Sequence, residues 1–325
     1  MARVLVIGGT LFMGRALVEQ LLARGDEVVL MHRGRETPFG DRTGEIICDR
    51  NDIGAVRKAL ADESFDVIYD NVYDWQRGTT AEQVSAAALA AGDGLRRYVF
   101  TSSVAAYGGG HDLDETDPLA PADHPEDYAR NKAESERALF RLHREHGLGV
   151  TTLRPAFIYG PHNPFDREAF FWDRILVDRP IIIPGDGSRT MQWVHAEDVA
   201  RATVLASDLE VADGHAYNLG NAPPVTQVEF VQALARAAGR PARLVHIPRE
   251  RIQAAGGALF APPFYFGAYL DVPPMTVRVE RVRTELGLEL RPLDEGLRET
   301  YHWYARQQRP HPDFAWEDNL LASAP

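Results

Sequence analysis

The chain opens on a short apolar run, Arg3-Val-Leu-Val-Ile7, and then changes to the spacing of an amphipathic helix. That alternation repeats. Runs rich in β-branched and aromatic residues predict strands at Val4–Ile7, Glu27–Met31, Glu45–Cys48, Asp66–Asp70, Tyr98–Thr101 and Val150–Arg154. Helical spacing predicts helices between them at Met13–Arg24, Ile53–Ala61, Thr79–Ala91 and Pro125–His146. Short strands each followed by a helix are the pattern of an α/β fold, a parallel sheet covered on both faces. After Arg154 the rhythm changes, and aromatics and prolines accumulate through Pro155–Pro184. A helix at Ala196–Ser207 and a strand ending Tyr217-Asn218-Leu219-Gly220 then resume it. Thr226-Gln-Val-Glu229 is a capping box and predicts another helix. The Pro-rich tract Ala261–Pro274, with Phe264, Tyr265, Phe266 and Tyr269, is too aromatic for a free linker; an ordered loop over a second lobe is expected.

Composition narrows the picture. With 325 residues, 45% of them hydrophobic, the chain can bury a large core and form two lobes. No apolar run approaches the roughly 20 residues needed to cross a bilayer, and no basic leader precedes the first strand. The single cysteine, Cys48, excludes an internal disulfide, so a cytoplasmic protein away from the membrane is expected. A formal charge of −12 argues against general attraction to nucleic acid.

Only two of the 35 basic residues are lysines, Lys58 and Lys132. Lys132 follows Tyr128 by four residues in Tyr128-Ala-Arg-Asn-Lys132, which puts both on one helix face. An ammonium beside a phenol favours the phenolate, and arginine's planar, diffuse charge replaces it poorly. Upstream, Thr101-Ser102-Ser103 follows a strand at the ligand-binding edge of the expected sheet. A hydroxyl there, Ser103, can hold a substrate oxygen while Tyr128 moves the proton.

Between the first strand and helix lies Gly8-Gly9-Thr10-Leu11-Phe12-Met13-Gly14, with the glycines that let backbone N–H groups approach a pyrophosphate. Leu11 stands where a further glycine is usual. The second strand ends in His32-Arg33-Gly34-Arg35, with no carboxylate for a ribose hydroxyl, so the cofactor is NADP or NAD with a lean towards the 2′-phosphate of NADP through Arg33. Asp49, after the third strand, is placed for an adenine amine, or for an Asx turn. Tyr73, Asp74 and Trp75 follow the fourth strand at the same edge. His143-Arg-Glu-His146 reads as a solvated helix end rather than a metal site, His195 as a loop-orienting residue, and Trp172 and Trp193 as core.

The glycine turn, the Ser103/Tyr128/Lys132 set, Leu153-Arg154-Pro155 with Tyr159-Gly160-Pro161, and Glu285-Leu286-Gly287 together resemble the extended short-chain dehydrogenase/reductase family, which includes NAD-dependent epimerases and dehydratases of nucleotide sugars. The leading glycine string and Gln192-Trp193-Val194-His195 resemble its atypical branch, which includes chloroplast stem-loop RNA-binding proteins. The resemblance implies a Rossmann-type doubly wound sheet over residues 1–165, to which 190–222 return, with a smaller C-terminal substrate-binding lobe at 166–189 and 223–310. It implies Tyr128 as general acid/base, Lys132 on the nicotinamide ribose and Ser103 on the substrate. Gly8, Thr10, Leu11, Phe12, Met13, Gly14, Arg33, Asp49, Arg50, Lys132 and Pro155 make the expected cofactor set. The substrate set is Tyr73, Trp75, Tyr107, Gln192 and Arg189, where Arg189 replaces a diphosphate-binding arginine expected at the position of Met191. A small-molecule sugar or nucleotide-sugar substrate and a homodimer through the helices at 79–91 and 125–146 follow. Two alternatives stand beside this: a dinucleotide- or RNA-binding protein without catalysis, and an NADP-linked reductase of a small carbonyl.

Overall fold

The computed structural model describes residues 1–92, 94–257 and 272–322. The loop expected at 261–274 therefore lies, up to residue 271, outside the described residues. Seven strands form one parallel sheet: β1 (Arg3–Ile7), β2 (Glu27–His32), β3 (Gly44–Ile47), β4 (Val67–Asp70), β5 (Arg97–Thr101), β6 (Val150–Pro155) and β7 (His215–Leu219). Their order across the sheet is β7-β6-β5-β4-β1-β2-β3. Helices α1 (Phe12–Arg24), α2 (Ile53–Leu60), α3 (Ala81–Ala90), α4 (Asp127–His146), α5 (Arg167–Ile175), α6 (Ala196–Asp208) and α7 (Gln227–Ala238) agree with the predicted elements within a few residues where an element was predicted. The fold is Rossmann-like and doubly wound.

Alternation along the strands decides which helices lie where. Val4, Val6, Val28 and Leu30 face α1 and α6, packing on Leu17, Leu21 and Val199. Leu5, Ile7, Val29 and Met31 face the other way, onto Val56 and Leu60 of α2, Val84 of α3 and Leu139 of α4. Both faces are covered, so the strands are apolar throughout rather than alternately polar. The chain runs outward from β1 to β3 and then returns to β4 on the other side of β1. That reversal opens a crevice beyond the carboxyl ends of β1 and β4, where ligands of such sheets bind.

A further apolar cluster gathers α5, α7, the helix Leu293–Tyr304 and a parallel strand pair, Pro180–Pro184 with Arg243–Ile247. Trp172 and Trp193 are core residues here, as expected: Trp193 stacks on Phe230 at 3.8 Å between ring centres, and Trp172 Nε1 donates to Leu234 O at 3.0 Å. The capping box at Thr226 and Glu229 is formed and opens α7.

Helix α4 is tied to the sheet by buried charge. Glu136 accepts from the hydroxyls of Ser102 and Thr152 and from Arg154 Nε and Nη2, the last at 2.7 Å. Glu136 and Arg154 are both closed to solvent. Removing one partner leaves the other charge buried and uncompensated. Glu136→Ala should therefore cost about 3–5 kcal/mol, seen as a lower urea midpoint at unchanged slope, whereas a loss below about 1 kcal/mol would contradict this account of the anchor.

Candidate active site

The glycine turn after β1 is shaped by contacts that admit no side chain. Gly8 has φ +85°, and a Cβ on it would meet Val72 Cγ2 at 2.4 Å; one on Gly14 would meet Gly8 O at 2.0 Å. Leu11 is the N-cap of α1 and makes no side-chain cap, so the first amides of the helix are left for an anion. Phe12, with φ +51°, and Met13 turn their side chains into the core, so they can meet a ligand only through backbone N–H groups. Thr10 is half-buried beside them. At the end of β4, Asn71 donates its backbone N–H to Ile7 O, and its buried Nδ2 has no hydrogen-bond partner among the described residues. A cradle closed to Cβ atoms, open helix amides and an uncommitted amide donor are what a dinucleotide requires.

The first turn of α4 places Tyr128 over the ends of β4 and β5, and the second brings Lys132 below it. Lys132 Nζ donates to Thr101 O at 2.6 Å and lies 5.9 Å from the centre of the Tyr128 ring. Ser103, two residues beyond the end of β5, takes the Ala105 N–H at 3.1 Å, and its hydroxyl is near enough to the Tyr128 phenol to draw that group's pKa down. Three of the predicted residues thus converge on one edge. The predicted lowering of the phenol's pKa by the lysine is not what this arrangement produces. Burial pushes Tyr128 up to about 12, opposed by the Ser103 hydroxyl and the charge of Arg167. The ammonium reaches past the ring to a strand-end carbonyl, and burial pushes it down to about 8.

Aromatic rings wall the phenol. Trp75 stacks on Tyr128 at 4.8 Å, Tyr73 meets it edge-on at 4.7 Å, and Phe165 meets Trp75 edge-on at 6.0 Å. Asn131 Nδ2 donates to Tyr73 Oη at 3.1 Å and fixes that ring. Phe165, Arg167 and Asn131 were not legible as site residues. The only signal for Phe165 and Arg167 is their place a few residues after Tyr159-Gly160-Pro161. Glu168 beside them accepts from Asn163 Nδ2 with both oxygens (3.1 and 3.0 Å), and burial pushes it up to about 7.

Other predicted residues lie elsewhere. Arg33 and Asp49 do reach the crevice rim, but inside a surface charge cluster: Arg33 pairs with Asp74 at 3.3 Å, and Arg77 pairs with Asp74 at 2.7 Å and Asp49 at 2.8 Å. Arg50, expected on the cofactor, is turned inward, buried and paired with Asp70. Tyr107, expected on substrate, is buried with its hydroxyl on Asp114 O and Asn218 Oδ1 and accepting from Arg154. Gln192 is likewise consumed by backbone, donating to Asn221 O and Val277 O and accepting from Val277 N. Pro155 ends β6, buried. Arg189 is half-buried beside the start of α7, with its carbonyl accepting from Gln227 N. His195 caps α6, its Nδ1 accepting from Glu197 N at 3.3 Å. His143 turns its Nδ1 to Leu148 O at 2.9 Å, and among the described residues no three His, Cys, Asp or Glu side chains gather as a metal site. No described helix is long and apolar enough to cross a membrane.

A family model described as the NAD dependent epimerase/dehydratase family matches residues 4–220. The chain belongs to that family. It is 29% identical to the chloroplast stem-loop binding protein of 41 kDa b of Arabidopsis thaliana, over 98% of this chain and 84% of that one. It is 26% identical to dTDP-4-dehydro-6-deoxy-D-allose reductase of Streptomyces bikiniensis, over 94% and 97%. Among solved structures, a UDP-glucose 4-epimerase from Thermotoga maritima with UDP-glucose superimposes with a TM-score of 0.76 at 22% identity, covering 94% of this chain and 99% of that one. The resemblance drawn from the sequence, to the extended short-chain dehydrogenase/reductases and to their stem-loop-binding branch, therefore holds.

Proposed function

We propose that this family member is an NAD-linked oxidoreductase of epimerase, dehydratase or reductase type, acting on a sugar or nucleotide sugar at the Ser103/Tyr128/Lys132 edge. The convergence of these three side chains outside the carboxyl ends of the strands carries the reading. The glycine turn and the N-terminus of α1 would hold the pyrophosphate, and Lys132 the nicotinamide ribose. When bound, the nicotinamide supplies the hydride donor or acceptor. With its pKa raised to about 12, the Tyr128 phenol is protonated at neutral pH, so it is poised to give its proton to a substrate carbonyl oxygen that Ser103 orients. In the opposite direction the phenolate has to form, and Lys132 and Arg167 are the cations near enough to balance it. The lobe at 166–189 and 223–310 would close on the substrate, and Leu89, exposed on α3, suits the proposed homodimer face. Tyr128→Phe should keep NAD binding and lose on the order of 100- to 10,000-fold in turnover with any accepted substrate; undiminished turnover would reject the mechanism.

The cofactor reading moves from NADP to NAD. Asp49 and Asp74 balance Arg33 and Arg77, so the rim offers a 2′-phosphate no net positive charge. Asp74→Asn should free Arg33, leave Arg77 on Asp49, and raise the NADP-to-NAD affinity ratio about tenfold in fluorescence titrations with NADPH and NADH. A ratio that stays put would show that Arg33 does not face the 2′ position.

The stem-loop binding relative, which spans nearly the whole chain, favours a second reading as an RNA-binding protein. The charge of −12 opposes it. Filter binding of a hairpin RNA at 50 and 200 mM salt is expected to detect no retention beyond background; tight, steeply salt-dependent retention would favour the second reading.

A further inference from the structure

The inward turn of Arg50 exposes a second buried charge group, lying under Lys132. Asp70 ends β4 and is closed to solvent. Its Oδ2 accepts from Arg50 and from Tyr98 Oη, the latter at 2.6 Å. Its Oδ1 has no hydrogen-bond partner among the described residues. Arg50 is held from behind, donating Nη1 to Gln83 O at 2.8 Å. The sheet brings this group under the active helix. Asp70 pairs in register with Phe100 of β5, and neighbours in register project to the same face of a parallel sheet. Phe100 packs on the face covered by α4, and Lys132 Nζ stands 4.6 Å from the centre of its ring. The lysine thus descends from α4 onto the sheet position next to Asp70.

We propose that Asp70 is the buried counter-charge that keeps Lys132 cationic, a positioning residue that acts through the lysine and does not touch substrate. Its bearing on catalysis rests on the reading of Lys132 given above; its electrostatic content does not. Among the described residues, charged and titratable groups face Lys132 from each element packed against it. From α4 itself come Tyr128 and Glu136; from beyond β4 comes Tyr73, with its ring 5.6 Å from Nζ; from the sheet come Asp70 and Tyr98, and from the segment after β3 comes Arg50. The oxygens of Glu136 are committed to Ser102, Thr152 and Arg154. The phenols are neutral, which leaves Asp70 to hold the ammonium and Arg50 to oppose it. Burial brings Lys132 down to about 8, with Asp70 the larger of the two carboxylate influences holding it up and Arg50 pushing it further down. Without Asp70 the lysine would lose its proton near or below neutral pH, and with it the charge that balances a phenolate.

The lysine economy of the chain makes this directly measurable. Protein labelled with ¹³C-lysine gives two Cε signals, from Lys132 and from Lys58, which is exposed on α2 and serves as an internal reference. Their shifts are followed against pH in the native protein, in Asp70→Asn and in Arg50→Gln. Asp70→Asn should lower the Lys132 midpoint by about one unit, a tenfold rise in its acid dissociation constant, while Arg50→Gln raises it and Lys58 stays fixed. If Asp70→Asn fails to fold, Arg50→Gln carries the test alone. A Lys132 midpoint unchanged in whichever variant shows a cooperative thermal transition would overturn the inference and leave Asp70 as a partner of Arg50 only. NADH titration of the same variants separates the two readings. A shifted midpoint with unaltered NADH affinity at every pH would support the role of Asp70 and count against placing Lys132 on the cofactor.

Discussion

Glu136 accepts from Ser102, Thr152 and Arg154 in a space closed to water, and one turn earlier on the same helix Lys132 donates to the carbonyl that ends β5. These bonds fix the rotation of α4 on the sheet. In an apolar interface a helix can rotate or slide by a fraction of a turn at small cost, because dispersion has no direction. A carboxylate that must meet three donors cannot follow such a shift without stranding charge. The position of the Tyr128 ring beside Ser103, and of the Lys132 ammonium below it, follows from that constraint. The proposed site thus sits at the amino end of a helix whose middle is bolted down.

The fold was legible because its determinants are local and repeated. Strand and helix periods alternate through Arg154, and the glycine turn lies where a strand meets a helix. The Tyr128–Lys132 spacing translates directly into one helix face. Arg50, Tyr107 and Gln192 read as site residues because their neighbours in sequence lie in the motifs that predict the site. Each instead satisfies a buried partner that lies far along the chain: Asp70 for Arg50, Asn218 for Tyr107, Val277 for Gln192. Nothing in a linear pattern tells a polar side chain at a strand end whether to face the crevice or the interior. That choice is made by which interior donors and acceptors would otherwise go unmet.

The electrostatic expectation failed for a related reason. Spacing says that Tyr128 and Lys132 share a face, but it says nothing about how much protein covers them. Burial raises the phenol and lowers the lysine together, each towards its neutral form, and only the charges beyond the pair decide how far. The surface cluster at the ends of β2, β3 and β4 makes the same point for the cofactor. Arg33 looked available for a phosphate until the fold set Asp74 against it.

Trp75 lies stacked on the Tyr128 ring while more than half of its surface remains in contact with solvent. A flat molecule that needs that face of the phenol must first separate the indole from it, and such a ring contact is worth roughly 0.5–1.5 kcal/mol. Observed affinities will therefore understate the intrinsic attraction of the crevice, and more so for planar ligands than for thin or flexible ones. An indole in this position ranks visitors by shape before any proton moves.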